Sequence, residues 1–181
     1  MEEYLTRGEK EFLLKIARST LELKLLQGEK FEPQTVNQKL WEKYGVFVTL
    51  RKGRELRGCI GYVEPTESVI LAVRDNALKA MRDPRLDPVE ASELPKIKIE
   101  ISILTRPQKT EFEEIKKGDG VVLKNGEKNA TYLPQAWEEV FSQEEFFTSL
   151  CQKAGLPGNC YLDPKTEFFK YEAMVFKEGE I

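Results

Sequence analysis

Gly45-Val46-Phe47-Val48-Thr49-Leu50, followed after Arg51-Lys52-Gly53 by Arg54-Glu55-Leu56-Arg57-Gly58-Cys59-Ile60-Gly61, is the stretch that decides how this chain folds. Side chains alternate faces along a strand, and Val46 to Leu50 and Arg54 to Ile60 both carry that period of two. Lys52-Gly53 between them reads as the tight turn of a β-hairpin. On an extended strand Arg57 and Cys59 share one face, and Leu56, Gly58 and Ile60 share the other. A cation beside a thiol favours the thiolate, and glycines let a backbone or ligand approach closely.

Working outward, Thr6-Arg7-Gly8-Glu9 is a capping-box pattern that leads into Phe12, Leu13, Ile16, Ala17 and Leu21 at helical spacing, with Gly28 as the stop. A shorter helix is predicted over about Gln34 to Tyr44, ended by Gly45. Ser68 caps a predicted helix through Val69, Ile70, Val73, Ala77 and Met81. It stops before Asp83-Pro84-Arg85, because the residue preceding a proline is pushed out of helical geometry. Lys96 to Leu104 is the clearest strand: Ile97, Ile99, Ile101 and Ile103 face one way, and Lys98, Glu100 and Ser102 the other. Val121 to Lys124 and Lys128 to Leu133 flank Asn125-Gly126, a second hairpin signal. Ser142-Gln143-Glu144-Glu145 opens a helix through Phe146, Phe147, Leu150 and Ala154, ended by Gly155, and Glu167 to Phe176 reads as a final strand. Hairpins and helices without regular strand–helix alternation predict an α+β fold with largely antiparallel sheets.

The chain has 181 residues, enough for one substantial core or one divided into two lobes. Its 40% apolar and 33% charged residues are those of a soluble globular protein. A net charge of −3 supplies no global field toward nucleic acid or an anionic membrane. No apolar run approaches the roughly 20 residues that span a bilayer. The acidic start Met1-Glu2-Glu3-Tyr4 lacks the basic and apolar regions of a secretory signal, so a cytoplasmic location is expected. Cys59, Cys151 and Cys160 are odd in number and widely spaced, which argues against a disulfide framework, a zinc knuckle or an iron–sulfur cluster. No metal or cofactor is expected. Histidine is absent, which removes Ser–His–Asp and Cys–His catalysis and a histidine base. Any chemistry must use Cys, Lys, Glu, Asp, Tyr, Arg or backbone amides.

Five features are candidates for function. Cys59 is either a thiolate nucleophile activated by Arg57 or a small packed hydrophobe, with Gly58 and Gly61 merely permitting close packing. Arg82-Asp83-Pro84-Arg85 is either a clamp for a carboxylate or phosphate, or ordinary helix C-terminal chemistry. Glu100 is a general base, a partner for Arg57, or part of a solvated strand face beside Lys98. The basic run Arg51, Lys52, Arg54 and Arg57, with Phe47 and Tyr62 nearby, is either an RNA-binding patch or an exposed hairpin. Leu133-Pro134-Gln135 with Trp137 opens a helix, and Gln135 is its one member with spare polar capacity.

Together these pieces resemble the AMMECR family. The matching segments are Gly45 to Leu50, Leu56-Arg57-Gly58-Cys59-Ile60-Gly61, Asp83-Pro84-Arg85, Ile99-Glu100-Ile101-Ser102, Leu133-Pro134-Gln135 and Cys151-Gln152-Lys153-Ala154-Gly155-Leu156. Leu86 follows Asp83-Pro84-Arg85 where that family usually has an aromatic, and Cys160 stands where a tryptophan or tyrosine is common. The resemblance implies a single domain over residues 4–178 with two subdomains, and a cleft between lobes with the hexapeptide in or near it. Prokaryotic members are often encoded beside a Memo-type protein and a radical S-adenosylmethionine enzyme. That implies an accessory or substrate-binding component of a modification system. It would take an anionic small molecule or peptide through Arg57, Arg82 and Arg85, with Gly58, Gly61, Asp83, Glu100 and Gln135 as further binding residues; the alternatives are a thiol-dependent enzyme with Cys59 as its nucleophile and an RNA-binding module.

Overall fold

Apolar side chains at two periods, one helical and one of strands, build the first of two compact units: the chain up to Leu104 together with Met174–Ile181. The second unit is Thr105–Ala173. The computed structural model describes residues 4–181, so Met1 to Glu3 of the acidic start lie outside the described residues.

In the first unit, helix α1 (Arg7–Gln27) begins as its sequence predicts. The Thr6 hydroxyl accepts the Glu9 N–H, and the Glu9 carboxylate accepts the Thr6 N–H. It ends at Gly28, whose φ of 75° satisfies the last turn in a conformation that costs glycine nothing. The expected helix over 34–44 shrinks to a 3-10 turn, Gln38–Trp41. Asn37 caps this turn by accepting the Lys39 N–H, and Lys43 pairs as an isolated bridge with Ser68. Helix α2 (Val69–Ala80) starts where expected, but Ser68 makes no capping hydrogen bond. The first N–H of the helix donates to Glu42 O instead.

Strands β1 (Gly45–Lys52), β2 (Glu55–Tyr62) and β3 (Ile97–Leu104) join the C-terminal β8 (Ala173–Lys177) in a sheet of order β2-β1-β3-β8. Ile97, Ile99, Ile101 and Ile103 of β3 and Val46, Val48 and Leu50 of β1 are all at most 1% exposed. They pack with Leu13, Ile16 and Leu21 of α1 and Ile70, Val73 and Ala77 of α2. Each such side chain contributes about 1.5–3 kcal/mol by leaving water. The side chain of Asn76 ties α2 to β1 by donating to Val46 O.

In the second unit, β4 (Gln108–Thr110), β5 (Gly120–Asn125), β6 (Lys128–Tyr132) and β7 (Glu167–Tyr171) form a sheet of order β4-β7-β5-β6. Helix α3 (Gln143–Lys153) is capped by Ser142, whose hydroxyl accepts the Glu145 N–H. Its Phe146 stacks on Trp137 with ring centres 3.7 Å apart, and Phe147 meets Phe168 edge-on. Val121, Leu123 and Leu150 complete this core.

Two further expectations fail. The single strand over Glu167–Phe176 is two strands in different sheets, broken at Glu172. Cys151 and Cys160 form a disulfide, contrary to their reading as separate thiols. The last turn of α3 and the loop after it fold back on each other. This brings the two Cα atoms to 5.8 Å, within bridging range despite nine residues of sequence separation. Both antiparallel sheets and the flanking helices fit the predicted α+β class. Among the described residues, no helix is long and apolar enough to cross a membrane.

Candidate functional site

The hairpin sets the site through one irregularity. Leu50 opposes Gly58, whereas Arg51 opposes Leu56, so Arg57 is the extra residue of a β-bulge. The simple alternation expected for β2 therefore breaks at Arg57. Lys52, on the Leu50 side by alternation, and Arg57 both donate to Glu93. Arg57 makes two bonds of 3.0 Å to that carboxylate, with its side chain 10% exposed. The Arg57 guanidinium, helped by Lys52, holds Glu93 down at about 2. The arginine expected beside the thiol is instead half of an ion pair on the other side of the strand.

The face opposite the apolar core carries a polar row. Thr49 is the register partner of Cys59 on one side and of Glu100 on the other. The Thr49 hydroxyl donates to Cys59 Sγ at 3.3 Å. Glu100 is buried rather than solvated, and Lys177 of β8 meets its carboxylate at 3.5 Å. It is not the partner of Arg57; that role belongs to Glu93. Cys59, half-buried, thus shares one face with Thr49 and Glu100.

The outer edge of β2 is closed by the loop after α2. Asp83 Oδ2 accepts the Cys59 N–H at 3.0 Å, and the Arg85 guanidinium donates to Cys59 O at 3.0 Å. Asp83, 2% exposed, also accepts the Arg85 N–H and Nε. Hydrogen bonds from the Arg85 guanidinium, then from the Cys59 and Arg85 backbones, hold its carboxyl far below the usual range against its burial. Gly58 permits this closure, because a Cβ there would run into the Ala80 carbonyl at the end of α2. A Cβ on Gly61 would collide with Phe47 and Val46 O of the neighbouring strand. Both glycines are packing positions.

The structure brings together Cys59, Asp83 and Arg85, which the sequence singles out as separate candidates. Arg82 lies on the same loop as an exposed cation, its backbone N–H donating to Lys79 O. Gln135 belongs to the second unit, half-buried in the 3-10 turn Pro134–Glu138. Thr49, Glu93 and Lys177 were missed. Counting back from the turn places Thr49 opposite Gly58, and only the bulge shifts it to Cys59. Among the described residues, no group of three or more Cys, Asp or Glu side chains could hold a metal ion.

This architecture has known relatives. Protein MK0488 of Methanopyrus kandleri is 41% identical over 193 residues, covering 99% of this chain and 93% of that protein. Protein PF1979 of Pyrococcus furiosus is 39% identical, covering 93% of this chain and 87% of its own length. The crystal structure of uncharacterized protein PH0010 from Pyrococcus horikoshii superposes with a TM-score of 0.90 at 34% identity, over 97% of this chain and 94% of that one. The AMMECR1 family model matches residues 14–176, nearly the whole of both units. With the Cys59 hexapeptide and the Asp83–Arg85 loop in place, the chain belongs to the AMMECR1 family.

Proposed function

We propose that this chain is the substrate-handling component of a modification system. Its partners would be a radical S-adenosylmethionine enzyme, which performs the chemistry, and a Memo-type protein. It presents an anionic small molecule or peptide beside Cys59. The observation that carries this reading is the grip on Cys59: N–H, C=O and Sγ are held by Asp83, Arg85 and Thr49 respectively. So fixed a residue on a polar face is a platform for positioning a bound group. The sequence supports the division of labour, since its three cysteines are too dispersed to form the closely spaced triplet of a radical enzyme's cluster, and two of them are bridged to each other. Size-exclusion co-elution with the radical enzyme and the Memo-type protein of the same genome tests the reading. A shared peak is expected. Separate elution of all three overturns it.

A second reading, a thiol-dependent enzyme with Cys59 as nucleophile, is favoured by the Thr49 hydroxyl on Sγ, which stabilises charge on sulfur. The basic hairpin offers RNA less than its sequence suggests, because Lys52 and Arg57 are both committed to Glu93.

A further inference from the structure

The bulge that removes Arg57 from the Cys59 face leaves a different cation there. Arg51 follows Thr49 by two residues on β1, and its register partner on β3 is Lys98, two residues before Glu100. The row Arg51–Lys98 therefore runs alongside the row Cys59–Thr49–Glu100, about 7 Å away by strand rise. Like charges placed directly opposite on neighbouring strands destabilise the pairing unless something offsets the repulsion. Elsewhere on this sheet the offset is internal. Lys52 and Arg57 meet Glu93, and Lys177 meets Glu100. Among the described residues, Arg51 and Lys98 have no carboxylate within ion-pair distance. The nearby acids are already engaged: Glu178 with Arg18 and the Ile99 N–H, Glu180 with Lys177. Lys98 is exposed and Arg51 half-buried.

We propose that Arg51 and Lys98 form an oxyanion subsite. It takes the carboxylate or phosphate group of the bound molecule, with the rest of that molecule lying along the face toward Cys59. The planar Arg51 fork supplies paired donors and Lys98 a point charge. The inference rests on the substrate-handling reading and names the cations that hold the anion. Of the three arginines expected to bind the anion, Arg57 and Arg85 are neutralised by Glu93 and Asp83, and Arg82 lies on the loop after α2.

Two measurements on the intact chain test it. The first is calorimetric titration with inorganic phosphate and, separately, with succinate, comparing the unaltered protein with Arg51→Gln, Lys98→Gln and the exposed turn variant Arg54→Gln. Saturable binding of at least one anion is expected. It should weaken about threefold or more in R51Q and in K98Q, and be unchanged in R54Q. Which anion binds more tightly distinguishes a phosphate from a carboxylate ligand. The second is the alkylation rate of Cys59 by negatively charged iodoacetate relative to neutral iodoacetamide, without reductant. That ratio should fall about threefold in either site variant. Removing one of two facing cations relieves repulsion, so neither variant should unfold more easily. Equal anion binding in all four proteins, or no binding in any, overturns the subsite. Co-elution with the partner proteins reports separately on the substrate-handling reading.

Discussion

The carboxylate of Asp83 and the backbone N–H of Cys59 meet at 3.0 Å across the open edge of β2. An edge strand normally offers its unpaired groups to another chain. Here the donor and acceptor of Cys59 are both taken, by Asp83 and by the Arg85 guanidinium it holds. Asp83→Ala should destabilise the protein by about 2 kcal/mol or more, because it strands a buried N–H and frees Arg85. Asp83→Asn, which keeps an acceptor, should cost less. Urea unfolding midpoints of the two variants check this.

Gly58→Ala should be more damaging than a glycine-to-alanine change in a strand ordinarily is. The added methyl meets the main chain of Ala80, which cannot rotate away as a side chain would. A loss of about 3 kcal/mol is expected, read as a fall in thermal midpoint.

The Arg57–Glu93 pair predicts a pH dependence. Glu93 is lowered from its usual 4.5 to about 2, so folding favours its ionised form. That stability is fully present above its ordinary value and is lost as pH falls toward 2. It amounts to about 2 kcal/mol for a pair as sheltered as this one. Unfolding free energies measured from pH 6 to 2 should decline less steeply in Glu93→Gln than in the unaltered protein.

Thr49→Val removes the hydroxyl from Cys59 Sγ while preserving shape on a buried strand position. Alkylation of Cys59 by iodoacetamide at neutral pH should slow about threefold, since the variant loses a donor to the developing thiolate. Mass spectrometry of the Cys59 peptide over time gives the rate.

Reducing the Cys151–Cys160 bridge should lower stability by about 2–3 kcal/mol, the entropy of opening so short a loop. Scanning calorimetry with and without reductant measures it, and Cys151→Ser should remove the response.

The hairpins were legible because their turns carry glycines at φ 62°, Gly53 and Gly126, between runs of period two. Even so, both loops sit one residue later than the sequence suggests, at Gly53-Arg54 and Gly126-Glu127. The helix caps at Thr6 and Ser142 were legible for a local reason: their partners lie three residues away. What could not be read was set at a distance. The bulge that reassigns Arg57 has no signature of its own, and it decides which cation faces Cys59. Glu100 looked solvated because alternation reports a face, not what that face meets. The break at Glu172 is invisible in an unbroken apolar run. It depends on Thr105, whose N–H donates to Glu172 O and whose hydroxyl accepts the Glu172 N–H.

That stem has a consequence for synthesis. Strands β3 and β8 are neighbours in the first sheet, yet all of Thr105–Glu172 is inserted between them. A ribosome releases β8 only after that whole insertion. Until then, nascent β3 carries a bare edge, Arg18 waits for Glu178, and the core lacks Phe176. The inserted body, by contrast, has its whole sheet and all its aromatic partners as soon as Glu172 emerges. The second unit can therefore mature while the first is still incomplete, and a strand translated after it closes the older half of the molecule.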